Sequence, residues 1–206
     1  MRNRSFIIPL ALVVASCSVD NSKDSARTIS HQTTSIVTTQ SAEATVKSFI
    51  MWYGQNREKL YTIPVVPASM DADDTDSTST YRVDFMEAEK YLSVLRSSGF
   101  VSKAYLANDL TYMHRSDSTL QANPQFGGPP QGFNYDRVVF SQDPDADLEK
   151  LRRTKPVVTI NGDTARAFFA QLPKPEDLRE GADLEFLLVR QQGEWLIEKI
   201  RPVFAP

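Results

Sequence analysis

Asp136 and Asp143, seven residues apart, are the part of this chain that comes nearest to a reaction centre. Two carboxylates brought together can share general acid–base work when burial raises one of them towards neutrality. Tyr135 and Gln142 stand beside them, and His114 offers a second route as an Asp136–His114 dyad. Each has a plainer structural use. Asp143 precedes Pro144 and suits capping a turn, and Asp136 suits fixing its loop through backbone amides, the account favoured here. His114, beside Arg115 near the expected end of a helix, is accounted for by the helix dipole. Asp143, Asp145, Asp147 and Glu149 alternate as in a calcium loop. However, Leu148 stands where the turn needs Gly and Thr154 where a bidentate Glu belongs, which excludes an EF-hand. Asp71, Asp73, Asp74 and Asp76 lack that Gly too and read as an acidic solvated loop. No phosphate loop, nucleophile elbow or His-Glu-x-x-His is present. One Cys and two His exclude a disulfide framework and Cys-based zinc. With 23 Lys+Arg against 26 Asp+Glu, the net charge of −3 gives nucleic acid no basic stripe to bind. No catalytic residue, metal or cofactor is assigned.

The single cysteine carries the clearest chemistry. Arg2 and Arg4 precede an apolar run, Phe6–Ala15, broken only by Pro9. Its ten residues make about 15 Å of helix, half of a roughly 30 Å hydrocarbon core, so the segment reads as a cleaved leader and not as a span. It ends in Val14-Ala15-Ser16-Cys17, which resembles the bacterial lipobox. That resemblance implies that Cys17 receives a diacylglyceryl thioether and becomes the mature N-terminus, with two acyl chains sufficing for stable anchoring. Loss of residues 1–16 removes Arg2 and Arg4 and takes the charge from −3 to −5. An acidic body of this kind gains nothing from anionic headgroups, so the lipid must hold it at the envelope membrane.

Residues 18–41 hold eleven Ser or Thr and no aromatic, too little apolar area to offset ordering. Together with Cys17 they read as a lipidated tether, 17–41, with His31 solvated in it. The remainder, 42–206, reads as one α+β domain. A helix starts near Ser41 with Ala42, Val46, Phe49, Ile50 and Tyr53 on one face. A long loop over Tyr61–Tyr81 closes with a short strand at Tyr81-Arg82-Val83. Asp84 and Glu87 make a capping-box pattern before Phe85, Ala88, Leu92 and Leu95, with Gly99 at the C′ position. A third helix covers Ser102 to Arg115, and Pro and Gly residues break the chain over 122–134. The period then changes to two. Val157, Val158 and Ile160 lead through Asn161-Gly162 to Ala165, Ala167 and Phe169, the pattern of a type I′ hairpin. Leu184, Phe186 and Leu188, a turn at Gln191-Gln192-Gly193, and Trp195, Ile197 and Ile200 complete four to five antiparallel strands. A bulge is expected at Glu198-Lys199. Three helices should cover one face of this curved sheet.

A set of short segments has a familiar order: Phe49-x-x-Trp52-Tyr53, Ser98-Gly99-Phe100-x-Ser102, Gly132-Phe133-Asn134-Tyr135-Asp136, Ser141-Gln142-Asp143 and Gly193-Glu194-Trp195-x-Ile197. Together they resemble the bacterial family called domain of unknown function 3828, across about residues 42–203. The resemblance implies a cone of the nuclear transport factor 2-like, or cystatin-like, kind and an exported or lipid-anchored protein. It implies no reaction. A cone offers a pocket between helices and sheet, and Trp52, Tyr53, Tyr135, Asp136, Gln142 and Asp143 are the candidate lining. Trp52 and Tyr53 point about 100° apart on their helix, so Tyr53 belongs to the core stripe and Trp52 to a rim. The expected function is an envelope lipoprotein, anchored through Cys17, that binds a small ligand or a protein partner without catalysis. The alternatives are an isomerase- or hydrolase-like enzyme using the pocket, or an immunity-type inhibitor of a toxin.

Overall fold

A computed structural model describes residues 40–67, 80–125, 128–170 and 183–203. The leader, Cys17, His31, the tether up to residue 39 and the acidic run at 71–76 lie outside them. The described chain is α+β: four helices on one face of a four-stranded antiparallel sheet of order β1-β2-β3-β4.

Helix α1 (Ala42–Tyr61) begins where the Ser41 hydroxyl accepts the Ala44 N–H at 3.1 Å. Its buried face carries Ala42, Thr45, Val46, Phe49, Ile50 and Tyr53. Helix α2 (Phe85–Ser97) is capped by the Asp84 carboxylate on Met86 and Glu87 N–H, but the capping box is only half made. The Asp84 N–H donates to Val65 O at 2.8 Å, which frees Glu87 to pair with Lys90. Gly99 takes φ +73°, the left-handed stop expected of it. The segment Tyr81–Val83 is not a strand: Val83 N–H and the Arg82 guanidinium both donate to Asp117 at 3.0 Å.

Helix α3 (Lys103–Ala122) outruns the expected end at Arg115 by two turns. Its tail is polar, with the Ser118 and Thr119 hydroxyls donating back to His114 O and Arg115 O, and only buried Asp117 and Leu120 mark the inner face. His114 is therefore mid-helix rather than in a last turn, and its ring stacks on Phe85 at 4.3 Å.

A fourth helix, α4 (Pro144–Arg153), stands where a loop was expected. Asp143 is its N-cap, Pro144 opens it, Asp145 and Asp147 fill the first turn, and Lys150, Arg152 and Arg153 fill the last, all in keeping with the helix dipole. Only Leu148 and Leu151 are buried, so the apolar period is too short to announce a helix. Arg57 of α1 holds both oxygens of Asp145 at 2.6 Å. Lys47 closes the other end by donating to Leu151 O (3.0 Å), Arg152 O (2.9 Å) and Thr154 O.

The sheet is a meander of β1 (Val157–Asn161), β2 (Thr164–Phe169), β3 (Asp183–Gln191) and β4 (Glu194–Val203). The first hairpin is not type I′. Asn161 pairs with Thr164, so the turn is Gly162-Asp163, and Gly162 alone of the two has positive φ, the type II′ pattern. Gln192 (φ +52°) and Gly193 (φ +89°) make the I′ turn instead. The bulge falls at Glu198, between the pairs Leu187–Lys199 and Leu188–Ile197.

Alternation sends Leu184, Phe186 and Leu188 to the helices. There Phe186 meets Phe169 at 5.6 Å and Phe49 at 6.3 Å, both edge to face. On the other face Glu185 is 0% exposed, bound by Arg166 from β2 and Arg201 from β4. Burial pushes its carboxyl up, but the two guanidiniums outweigh that and hold it below its ordinary 4.5. Asp117 behaves alike: burial raises it, while Val83 N–H, Arg82 and Gln121 hold it below 3.8. A depressed folded value means stability present above the unfolded value and lost as pH falls. Urea midpoints are expected to decline as pH drops below about 4.5, with a shallower decline in Glu185→Gln.

Candidate functional site

Where the second half of α1, the turn after it, α2, α3 and the 130–137 loop come together, they enclose a cavity of about 340 Å3. That lies within the range of small-molecule sites, roughly 300–1,000 Å3. Leu60, Ile63, Val65, Val66, Met113 and Phe133 supply apolar wall, and Tyr53, Tyr61, Tyr91 and Tyr135 supply aromatic wall with hydroxyls. Arg57, Asp136 and Arg137 complete it, and Tyr61, 84% exposed, marks the side open to solvent.

The 132–141 loop gains its shape from Asp136. One carboxylate oxygen accepts Val138 N–H (2.9 Å) and Val139 N–H (3.0 Å), the other accepts the Tyr53 hydroxyl at 2.8 Å, and the Asp136 N–H donates to Ser141 O at 2.8 Å. Three donors on one carboxylate tie the loop to α1 across 83 residues of chain. The closure forces Phe140 to φ +54°, a left-handed backbone that costs about 1–2 kcal/mol in a non-glycine residue. Its ring stacks on Tyr135 at 6.2 Å. Gly132, at φ +86°, lies so near Tyr112 that a Cβ there would come within 2.8 Å of the tyrosine hydroxyl.

A second set of polar contacts runs behind the wall. The Tyr112 hydroxyl donates to Gly132 O at 2.8 Å. Its one proton thus spent, the 3.1 Å contact with Tyr135 has the Tyr135 hydroxyl as donor. The Arg137 guanidinium lies 3.7 Å above the Tyr112 ring and is paired with Asp109 of α3. Burial works against the Arg137 charge, and Asp109 outweighs it and raises the group above its ordinary value. The side chains of Arg137 and Asp109 are 16% and 9% exposed, and among the described residues Asp109 Oδ2 and Arg137 Nε have no hydrogen-bond partner.

Burial pushes the hydroxyls of Tyr53, Tyr91 and Tyr105 well above their ordinary 10. Tyr135 is pushed up to about 12, by burial first and then by its bond to Tyr112. All four are neutral hydrogen-bonding groups at physiological pH.

Of the six residues singled out by sequence, the cavity collects Tyr53, Tyr135 and Asp136. Trp52 does not line this cavity; it packs on the core and stacks on Phe49 at 6.1 Å. Gln142 is exposed, and Asp143 is spent as the cap of α4, its Oδ1 accepting Ala146 N–H at 3.4 Å. No Asp136–Asp143 pair is formed on the cavity wall, and His114 is not part of it. Arg57, Tyr91, Asp109, Tyr112 and Arg137 were not anticipated. For Asp109 a signal existed, since Tyr105, Asp109, Met113 and Asp117 recur every four residues and place two aspartates on an inward stripe. Among the described residues no group of three or more His, Cys, Asp or Glu is placed to hold a metal ion, and no helix is long and apolar enough to cross a membrane. Comparison of the chain with family models, curated proteins and solved structures finds no match.

Proposed function

We propose that this chain is an envelope lipoprotein, anchored through Cys17, whose α+β domain holds a small ligand in the cavity between α1, α2, α3 and the 130–137 loop. One observation carries the binding reading: the charged side chains of the wall are held by partners within the protein. Asp136 is taken up by Tyr53 and two backbone amides, Arg137 by Asp109, and Arg57 by Asp145. Pre-set polar groups on an apolar, aromatic wall suit recognition of shape and hydrogen bonds. A buried tyrosine is a poor base, and a guanidinium locked to its own carboxylate is a poor partner for developing charge. The ligand class that fits is a compact molecule with an apolar or aromatic body and a hydrogen-bonding end.

Two measurements test the two halves separately. Native mass spectrometry of the protein purified from its own cells should show an added small-molecule mass. Val66→Trp, which fills the half-buried rim, should lose that mass while keeping the wild-type melting temperature. An unaltered adduct in the Trp variant removes the cavity from the proposal. For the anchor, Cys17→Ser should shift the protein from the membrane fraction to the soluble one, and an unchanged distribution refutes lipidation.

A further inference from the structure

We infer that β1 is a dimerisation strand, which pairs antiparallel with β1 of a second copy about a two-fold axis through Thr159. The two edges of the sheet are treated differently. The β4 edge is bulged at Glu198 and covered by the 100–102 segment: Ile197 N–H donates to Phe100 O (2.8 Å) and Ser102 N–H to Ile197 O (2.9 Å). Bulging and covering are the ordinary ways to stop a sheet from growing. Among the described residues the β1 edge has neither. Val157-Val158-Thr159-Ile160-Asn161 is unbulged, uncharged and β-branched in four of five positions, with Val157 68% and Ile160 57% exposed.

The occupant follows from register and charge. Asn161 and Thr164 flank a two-residue turn, so they exchange both ladder bonds. Alternation then turns the backbone groups of Val157, Thr159 and Asn161 towards β2 and those of Val158 and Ile160 towards the open side. An axis through Thr159 sets Val158 against Ile160 of the second copy, twice, as hydrogen-bonded pairs, giving four backbone bonds and covering Ile160 with a valine. Past the strand ends, the same axis brings Lys155, two residues before β1, towards the Gly162-Asp163 corner of the second copy, again twice. Both residues are exposed, and neither side chain has an ion pair or hydrogen bond among the described residues. Shifting the axis one residue either way moves Lys155 back beside Asn161 or out past the corner and loses this match. One chain therefore carries, around one strand, the complement to itself. Because the other edge is covered, pairing closes at two copies and does not propagate. A five-residue seam is short of the roughly 1,000 Å2 of a stable interface, so the dimer is weak and is trapped covalently at high protein concentration.

The test uses the full chain with Cys17→Ser, so that an introduced thiol is the only one. At a pair without ladder bonds the two Thr159 Cα atoms stand about 4.5–5.5 Å apart, inside disulfide range, whereas Val157 of one copy lies four residues, roughly 13 Å, from Val157 of the other. Thr159→Cys should give a disulfide-linked dimer under mild oxidation at least tenfold faster than Val157→Cys. Adding Lys155→Glu or Asp163→Lys to Thr159→Cys should slow it about tenfold, and adding both should restore it. These positions are exposed, so circular dichroism and melting temperature should stay at wild-type values. Equal rates at 157 and 159, or a charge swap that fails to restore, overturns the inference. So does a linked product in cells whose mass is not twice that of the chain, which would place another protein on the strand.

Discussion

Asp109→Ala is expected to lower the unfolding free energy by about 3–5 kcal/mol, because it strands the Arg137 guanidinium, whose side chain is 16% exposed, without its counter-charge. Urea unfolding followed by far-ultraviolet circular dichroism measures it directly. Arg137→Ala should cost a similar amount by stranding Asp109, and also removes the cation from the Tyr112 ring. The informative variant is the double replacement Asp109→Leu with Arg137→Met. An apolar pair of similar volume removes both desolvation costs together with the attraction, so it should recover most of the loss suffered by either single variant. If the double variant is as unstable as the sum of the two, the pair does not act as a unit. Among the described residues Asp109 Oδ2 and Arg137 Nε have no hydrogen-bond partner, so the pair is only half satisfied, and that is why the recovery is expected to be large.

The second large effect is expected at Asp136. Asp136→Ala removes the acceptor for Tyr53 and leaves the Val138 and Val139 amides without their partner, for a loss of about 2–4 kcal/mol. Tyr53→Phe removes one hydrogen bond at the same place and should cost about 1 kcal/mol. Asp136→Asn keeps an oxygen for the two amides and should fall between them. Hydrogen exchange separates a loosened loop from general destabilisation. In Asp136→Ala the amides of Val138, Val139 and Asp136 should exchange faster than those of β3, whereas in Tyr53→Phe they should stay protected. Uniform acceleration across loop and sheet would mean that Asp136 does not shape the loop.

What could be read from the sequence depended on whether a physical signal was local. Helices α1 and α2 and all four strands announced themselves by period and by cap or turn residues such as Ser41, Asp84, Gly99 and Gly193. Helix α4 did not, because Asp143, Asp145, Asp147 and Glu149 alternate like ligands while only Leu148 and Leu151 are apolar. Its stability is borrowed from Lys47 and Arg57, which lie 104 and 88 residues before their partners Leu151 and Asp145, contacts no window of sequence contains. The site divides in the same way. Tyr53, Tyr135 and Asp136 stood out as polar or aromatic residues at marked positions. Arg137 and Asp109, 28 residues apart on a loop and a helix, gain meaning only when the fold sets them together. The type of the first hairpin turn has a register cause: Asn161 was read as part of the turn, but it closes the ladder against Thr164 and leaves Gly162-Asp163 to make the corner.

The grip of Lys47 on the carbonyls of residues 151, 152 and 154 bears on how the polypeptide reaches its final form. The first helix is made before the elements it packs on: it buries its apolar face against α4, β2 and β4, which begin 83 to 133 residues after it ends. Until then Phe49 and Ile50 have little to pack on, and most of a helix's stability in a protein comes from packing its apolar face. Such long-range closure slows folding and keeps the nascent chain loose. Under the export proposed above that delay is useful, because a chain still open when its last strand leaves the ribosome can be threaded across a membrane before it locks.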